Sequence, residues 1–169
     1  MGRDLTYYCP HCWATVVAEI QICPTCGAVI KDTGADIVDR YMAALRHPQA
    51  ETRLRVAWLL GQMQATRAVP ALLTIVAAHG RADHDPYLLS VAVKSLGQIG
   101  NKQAVPELAA LLADADASVL ARKEALDALA RLGGDEAQAA LRRALADPHR
   151  SVRERVQQIL KLEKEMEHL

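Results

Sequence analysis

The residues best suited to chemistry lie together near the start of the chain, in "CPHCWATVVAEIQICPTCG", residues 9–27. This stretch holds all four cysteines, as two C-P-x-C pairs with ten residues between them. A C-x-x-C turn lets two sulfurs face one point, and two such turns supply the four thiolates of a tetrahedral metal ion. Cys9, Cys12, Cys23 and Cys26 are therefore candidate ligands of one zinc ion per chain. Four protein ligands leave no position for a reacting water, so such a zinc is structural. A pair of disulfides, or a redox switch that releases zinc, is the alternative chemistry for the same thiols. A thioredoxin-like site fits less well, because no βαβ pattern surrounds either pair. Pro10 and Pro24 stiffen the turns, Gly27 permits a left-handed residue after the second, and His11 is expected to point outward.

Outside this stretch the chemical signals are weaker. "HGRADHDP", residues 79–86, groups His79, Asp83, His84 and Asp85, a conceivable second metal site. It reads better as a polar inter-helix loop with Asp85 as a helix cap. Arg142, Arg143, Arg150, Arg153 and Arg155 form a basic cluster diluted by Asp147 and Glu154. Lys plus Arg and Asp plus Glu balance at 20 each, without the positive excess that drives nucleic-acid or membrane-surface binding. No Walker loop, G-x-S-x-G or Cys–His catalytic arrangement is present, so the expectation is a protein that is not an enzyme. The opening residues lack the shape of a signal peptide, and no apolar run approaches the ~18–20 residues of a membrane span, so a cytoplasmic protein is expected.

The elements that follow are helical. Ala and Leu dominate, aromatics make up 4% and Phe is absent. "RAVPALLTIV" at 67–76 returns as "QAVPELAALL" at 103–112, and more weakly as "EAQAALRRAL" at 136–145. Val69, Leu72, Leu73 and Val76 mark one helical face, and Val119, Leu126, Leu129 and Leu132 another. Helices this short must stack on neighbours. The pattern predicts four pairs, residues 36–46 with 49–64, 70–78 with 86–99, 106–113 with 117–132, and 135–146 with 148–167. Pro48, Pro86 and Pro148 precede long helices, and Pro70 and Pro106 open short ones. Asp85 and Asp147 are expected N-caps, while Gly61, Gly97, Gly100, Gly133 and Gly134 fall at or near the ends of long helices. Tyr41 and Trp58 are expected in the core of the first pair, and "KLEKEMEHL" as a solvated end cap.

With "LLGQM…RAVPALL", "SLGQIG…QAVPELAALLAD" and "LADPHRSVR", the repeat resembles the HEAT family, specifically its phycobilisome-lyase-like units, over about residues 36–165. The resemblance implies a short right-handed α-solenoid. It also implies that an arginine early in each long helix binds acids or carbonyls of the neighbouring repeat. Arg53, Arg122 and Arg153 match that place, and Leu89 interrupts the series. Some HEAT enzymes bind iron through His-Glu pairs, and no such pair occurs here. Residues 9–27 resemble a compact zinc ribbon, departing from it at Trp13, where the first knuckle usually carries glycine.

The resulting expectation is an all-α protein with a zinc ribbon at residues 1–33 and a solenoid at 34–169. Its expected function is a non-enzymatic zinc-binding scaffold whose solenoid surface binds another protein. The ribbon either offers a second surface or covers Ile37, Val38, Tyr41 and Met42 at the open end of the stack. The alternatives are a helper of the lyase type, since lyase-like HEAT proteins assist attachment or removal of bilin pigments, and a nucleic-acid-binding protein.

Overall fold

The computed structural model describes residues 7–9, 11–17, 20–30, 36–81 and 84–166. Its elements are β1 (Tyr7–Tyr8), β2 (Thr15–Val16), α1 (Ile37–Ala44), α2 (Ala50–Gln62), α3 (Val69–Ala77), α4 (Pro86–Ile99), α5 (Val105–Ala113), α6 (Val119–Leu132), α7 (Asp135–Arg143) and α8 (Arg150–Met166). The protein is an all-α solenoid with the cysteine segment at its N-terminal end. Each long helix meets the next: α2 with α4, α4 with α6, and α6 with α8. This neighbour-to-neighbour stacking lets helices of 8 to 17 residues persist, because each buries the apolar face it cannot bury alone. One continuous core runs from Leu45 through Leu60, Leu72, Leu96, Leu108 and Leu129 to Ile159.

Local signals set the helix ends. Asp36 accepts from the Val38 N–H, Asp85 from Tyr87 and Leu88, and Ser118 from Ala121, each quieting an unpaired donor of a first turn. The 3-10 turns Thr66–Ala68 and Lys102–Ala104 lead into α3 and α5, which begin one residue before Pro70 and Pro106. The fourth short helix ends at Arg143, and a 3-10 turn, Ala144–Ala146, replaces its expected last turn. Asp147 closes a turn on the His149 N–H without starting α8, which begins at Arg150. Residues 167–169, the end of the expected cap, lie outside the described residues.

Two expectations about the glycines are corrected. Gly100 ends α4 in the left-handed conformation as expected, with φ 77°, and Gln64 takes the same conformation, φ 49°, one repeat earlier. Gly61 and Gly97, however, lie inside α2 and α4 and are buried. A Cβ on Gly97 would sit 2.8 Å from Cα of Ala128, and one on Gly61 2.6 Å from Oγ of Ser95. These glycines allow close helix contact, and there the Ser95 hydroxyl donates to the Ala57 carbonyl at 2.9 Å. Gly97→Ala is accordingly expected to destabilise by about 1–3 kcal/mol, because the obstacle is backbone. Helix propensity alone predicts stabilisation by about 1 kcal/mol. Urea midpoints decide between them, with Gly80→Ala, whose Cβ meets nothing within 4 Å, as the neutral control.

Trp58 is a further correction. It lies 46% exposed on α2, whereas Tyr41 is half-buried against the core. Its position falls on the outward side of α2, between the buried Val56–Ala57 and Leu60–Gly61.

Polar rungs join successive repeats. Arg53 donates to the carbonyls of His47 and Pro48 and reaches Asp85 at 3.4 Å in the next repeat. Arg153 repeats the carbonyl pattern on Asp147 and Pro148. Arg122 meets Asp147 at 2.6 Å, with both side chains 4% exposed. Leu89 does interrupt the arginine series, being buried in the core. The missing rung is supplied from the preceding loop, where His79 Nε2 lies 2.9 Å from an Asp114 carboxylate oxygen. The Asp116 backbone N–H and His79 hold the Asp114 carboxyl below its usual range.

Candidate metal centre

The cysteine segment builds two matching knuckles. Around the first, β1 and β2 pair antiparallel, with Tyr7 opposite Val16 and Tyr8 opposite Thr15. Around the second, Ile22 bridges Val29. The Trp13 N–H donates to the Cys9 carbonyl and the Gly27 N–H to the Cys23 carbonyl, both at 2.9 Å. Cys9 and Cys23 donate in turn to Ala14 and Ala28, at 2.9 and 2.8 Å. Each turn thus presents two sulfurs to the same side.

The four sulfurs converge, all within 4.8 Å of one another. Cys9 Sγ lies 3.8 Å from Cys26 Sγ, and Cys12 Sγ 3.6 Å from Cys23 Sγ. A tetrahedron with metal–sulfur bonds of ~2.3 Å has sulfur–sulfur edges of about 3.8 Å, so the donor set fits a tetrahedral ion. Among the described residues these four form the one group of His, Cys, Asp and Glu side chains able to hold a metal. The sequence-predicted ligands are thus brought together.

The electrostatics show what four thiols at this distance do to one another. Burial raises the Cys23 thiol, but the N–H groups of Cys26 and Thr25 and the sulfurs of Cys12 and Cys9 outweigh it, bringing it down to about 6. For Cys26 the Ala28 N–H acts downward. Burial and the neighbouring sulfurs prevail and push it up to about 12. One thiolate forms readily and opposes the next, as expected of a donor set that needs a cation among its sulfurs.

The other sequence candidates separate. His79 is engaged by Asp114 and the Val76 carbonyl, His84 Nδ1 lies 2.8 Å from the Arg81 carbonyl, and Asp85 caps α4. Asp83, like Pro10, lies outside the described residues. Within the basic cluster Arg155 meets Asp127, Arg150 meets Glu154, and Arg153 and Arg143 hold backbone carbonyls. With four of the five engaged and Arg142 exposed, the cluster gives little support to a nucleic-acid surface.

Trp13 has a structural account that its local sequence does not supply. It adopts φ 59°, the left-handed conformation that Gly27 takes at φ 71° in the second knuckle. For a bulky residue that conformation costs roughly 1–2 kcal/mol. The same backbone turns the indole onto the solenoid, edge-on to the His47 ring with centroids 4.9 Å apart. Tyr8 also meets the His47 ring edge-on, with centroids 4.7 Å apart, and the Gln49 side-chain amide donates to the Tyr8 hydroxyl. The Trp13 contact contributes about 0.5–1.5 kcal/mol, which offsets much of that strain. His47 is buried, with both rings in contact with it. The cysteine segment therefore sits on the turn between α1 and α2, while Ile37, which was expected beneath it, stays 44% exposed.

Comparison with known proteins gives this architecture its class. The family described as HEAT repeats matches residues 38–119 and 78–161, and the chain belongs to that family. Among solved structures it is similar to the complex of CpcE and CpcF of phycocyanin lyase from Nostoc sp. PCC7120. The identity is 25%, the TM-score 0.57, and the likeness covers 70% of this chain and 46% of that one. The chain thus spans less than half the length of the structure it matches. No curated protein matches the sequence. The lyase likeness corrects the expectation of a protein that is not an enzyme. Motifs register only chemistry written as local spacing, so their lack does not decide whether a chain is an enzyme. No helix among the described residues is long and apolar enough to cross a membrane.

Proposed function

We propose that the chain is a helper of the phycocyanin-lyase type. In this reading its HEAT stack holds a partner protein while a bilin is attached or removed. The observation that carries it is the likeness to the lyase complex over 70% of the chain. Because that structure is a complex and this chain spans 46% of its matched chain, the proposed working unit includes a second subunit. Residues 1–33 form a zinc ribbon and 34–169 the solenoid. Cys9, Cys12, Cys23 and Cys26 hold one structural zinc, a role supported by their convergence and by the tetrahedral fit of four thiolates.

The test mixes the purified chain with a phycocyanin apo-subunit and free bilin, alone and with a second HEAT subunit, and follows visible absorbance. A shifted, intensified bilin band that grows faster with the chain present is the expected result. A spectrum unchanged by the chain in both mixtures rejects the lyase-type reading.

A further inference from the structure

The cysteine segment does not lie flush on the helices. Between it and the first two repeats runs a groove of about 970 Å³. Its wall on one side is His11 and Trp13, and on the other α1 and α3, with Met42, Leu45 and Ile75. The floor is Leu88 and Leu89 of α4. This volume lies at the upper end of small-molecule sites, and the lining mixes apolar side chains with nearly as much polar surface.

The polar groups have one dominant sign. Arg46, Arg53 and Arg81 line the groove, and Asp85 is the one carboxylate among its described lining residues. Asp85 is already taken by Arg53 and by the first turn of α4. Arg46 sits exposed at the end of α1, and among the described residues its guanidinium meets no acceptor.

We propose that this groove binds a small amphipathic carboxylate, its apolar body against Trp13, Met42 and Ile75 and its carboxylate on Arg46. Because Trp13 belongs to the first cysteine knuckle, the metal and the ligand are thermodynamically coupled. Whatever holds the knuckle holds one wall of the groove, and an occupied groove must in return slow metal loss. This inference concerns the groove alone and stands apart from the lyase-type reading, since its test involves neither phycocyanin nor bilin.

Dodecanoate is the probe, with dodecanol as its uncharged counterpart, measured by calorimetry on the full zinc-loaded chain. Dodecanoate is expected to bind at least tenfold more tightly than dodecanol. Arg46→Ala should weaken it about 5- to 10-fold, the loss of one charge-assisted contact, and Arg46→Lys should recover part. Trp13→Gly suits the left-handed backbone and should keep one zinc per chain, yet lose tenfold or more in dodecanoate affinity. Saturating dodecanoate should also slow zinc release to a chelator severalfold in the native chain and not in Trp13→Gly. Equal binding of the two probes, no binding, or Arg46→Ala within twofold of the native chain overturns the site. If Trp13→Gly binds like the native chain, the shared wall is wrong.

Discussion

Cys23→Ser is expected to empty the metal centre, taking zinc from about one per chain to near zero. Cys23 is 1% exposed and, with Cys9 and Val16, makes up the buried cluster of the segment. So small a core cannot order a backbone without a staple. Structural zinc typically contributes an apparent ~10–16 kcal/mol to such sites. Removing one of four thiolates should therefore unfold both knuckles together, including the first, which the substitution does not touch. The helices have their own continuous core and should remain. Far-UV circular dichroism should change little, while the melting temperature falls by a few degrees as His47 loses Trp13 and Tyr8. Metal analysis and amide spectra read the two effects separately. Full zinc occupancy in the variant, or a metal-free and disulfide-bonded native chain, would falsify the assignment of these cysteines as ligands.

A comparable loss is expected from Arg122→Met. Arg122 and Asp147 form an ion pair with both side chains 4% exposed, and removing one partner strands the other's charge away from water. Such truncations cost about 3–5 kcal/mol. Asp147 is additionally bound to the turn before α8 through its contact with the His149 N–H, so the last repeat should loosen first. The pair is not fully compensated, since Arg122 Nε is buried without a protein acceptor. Arg122→Met combined with Asp147→Asn, which keeps an oxygen for His149, should therefore recover a substantial part of the loss. Urea denaturation of the two single variants and the double completes the cycle. Additive losses would show that Asp147 is not destabilised by losing its arginine.

What the sequence revealed, and what it hid, follows from distance along the chain. The convergence of the four cysteines was legible because they sit in two turns whose geometry is set by neighbours three residues apart. The repeats were legible because a period of 36 residues carries prolines and apolar positions with it. Arg53, Arg122 and Arg153 were legible only through the resemblance to HEAT repeats, which places an arginine early in each long helix. Gly61 and Gly97 were misread because a glycine late in a helix signals a cap locally, whereas its actual role depends on Ser95 and Ala128, more than thirty residues away. His79 taking over the rung that Leu89 leaves vacant required knowing that one loop lies beside the next. Trp13 looked anomalous because its partner, His47, belongs to the other part of the chain. The groove had no sequence signature at all, as His11, Arg46 and Arg81 meet only after the segment is seated.

The glycine contacts also bear on how the molecule deforms. Where Gly97 meets Ala128, two long helices touch with no rotatable side chain between them. Such a seam has no rotamers to exchange, so α4 and α6 are expected to move as one unit. The short helices touch one another more sparsely, α1 and α3 least of all. Any change in curvature must be taken up in that softer layer. Because the groove opens between α1 and α3 on one side and the cysteine knuckle on the other, its mouth lies along the direction in which the stack bends most easily.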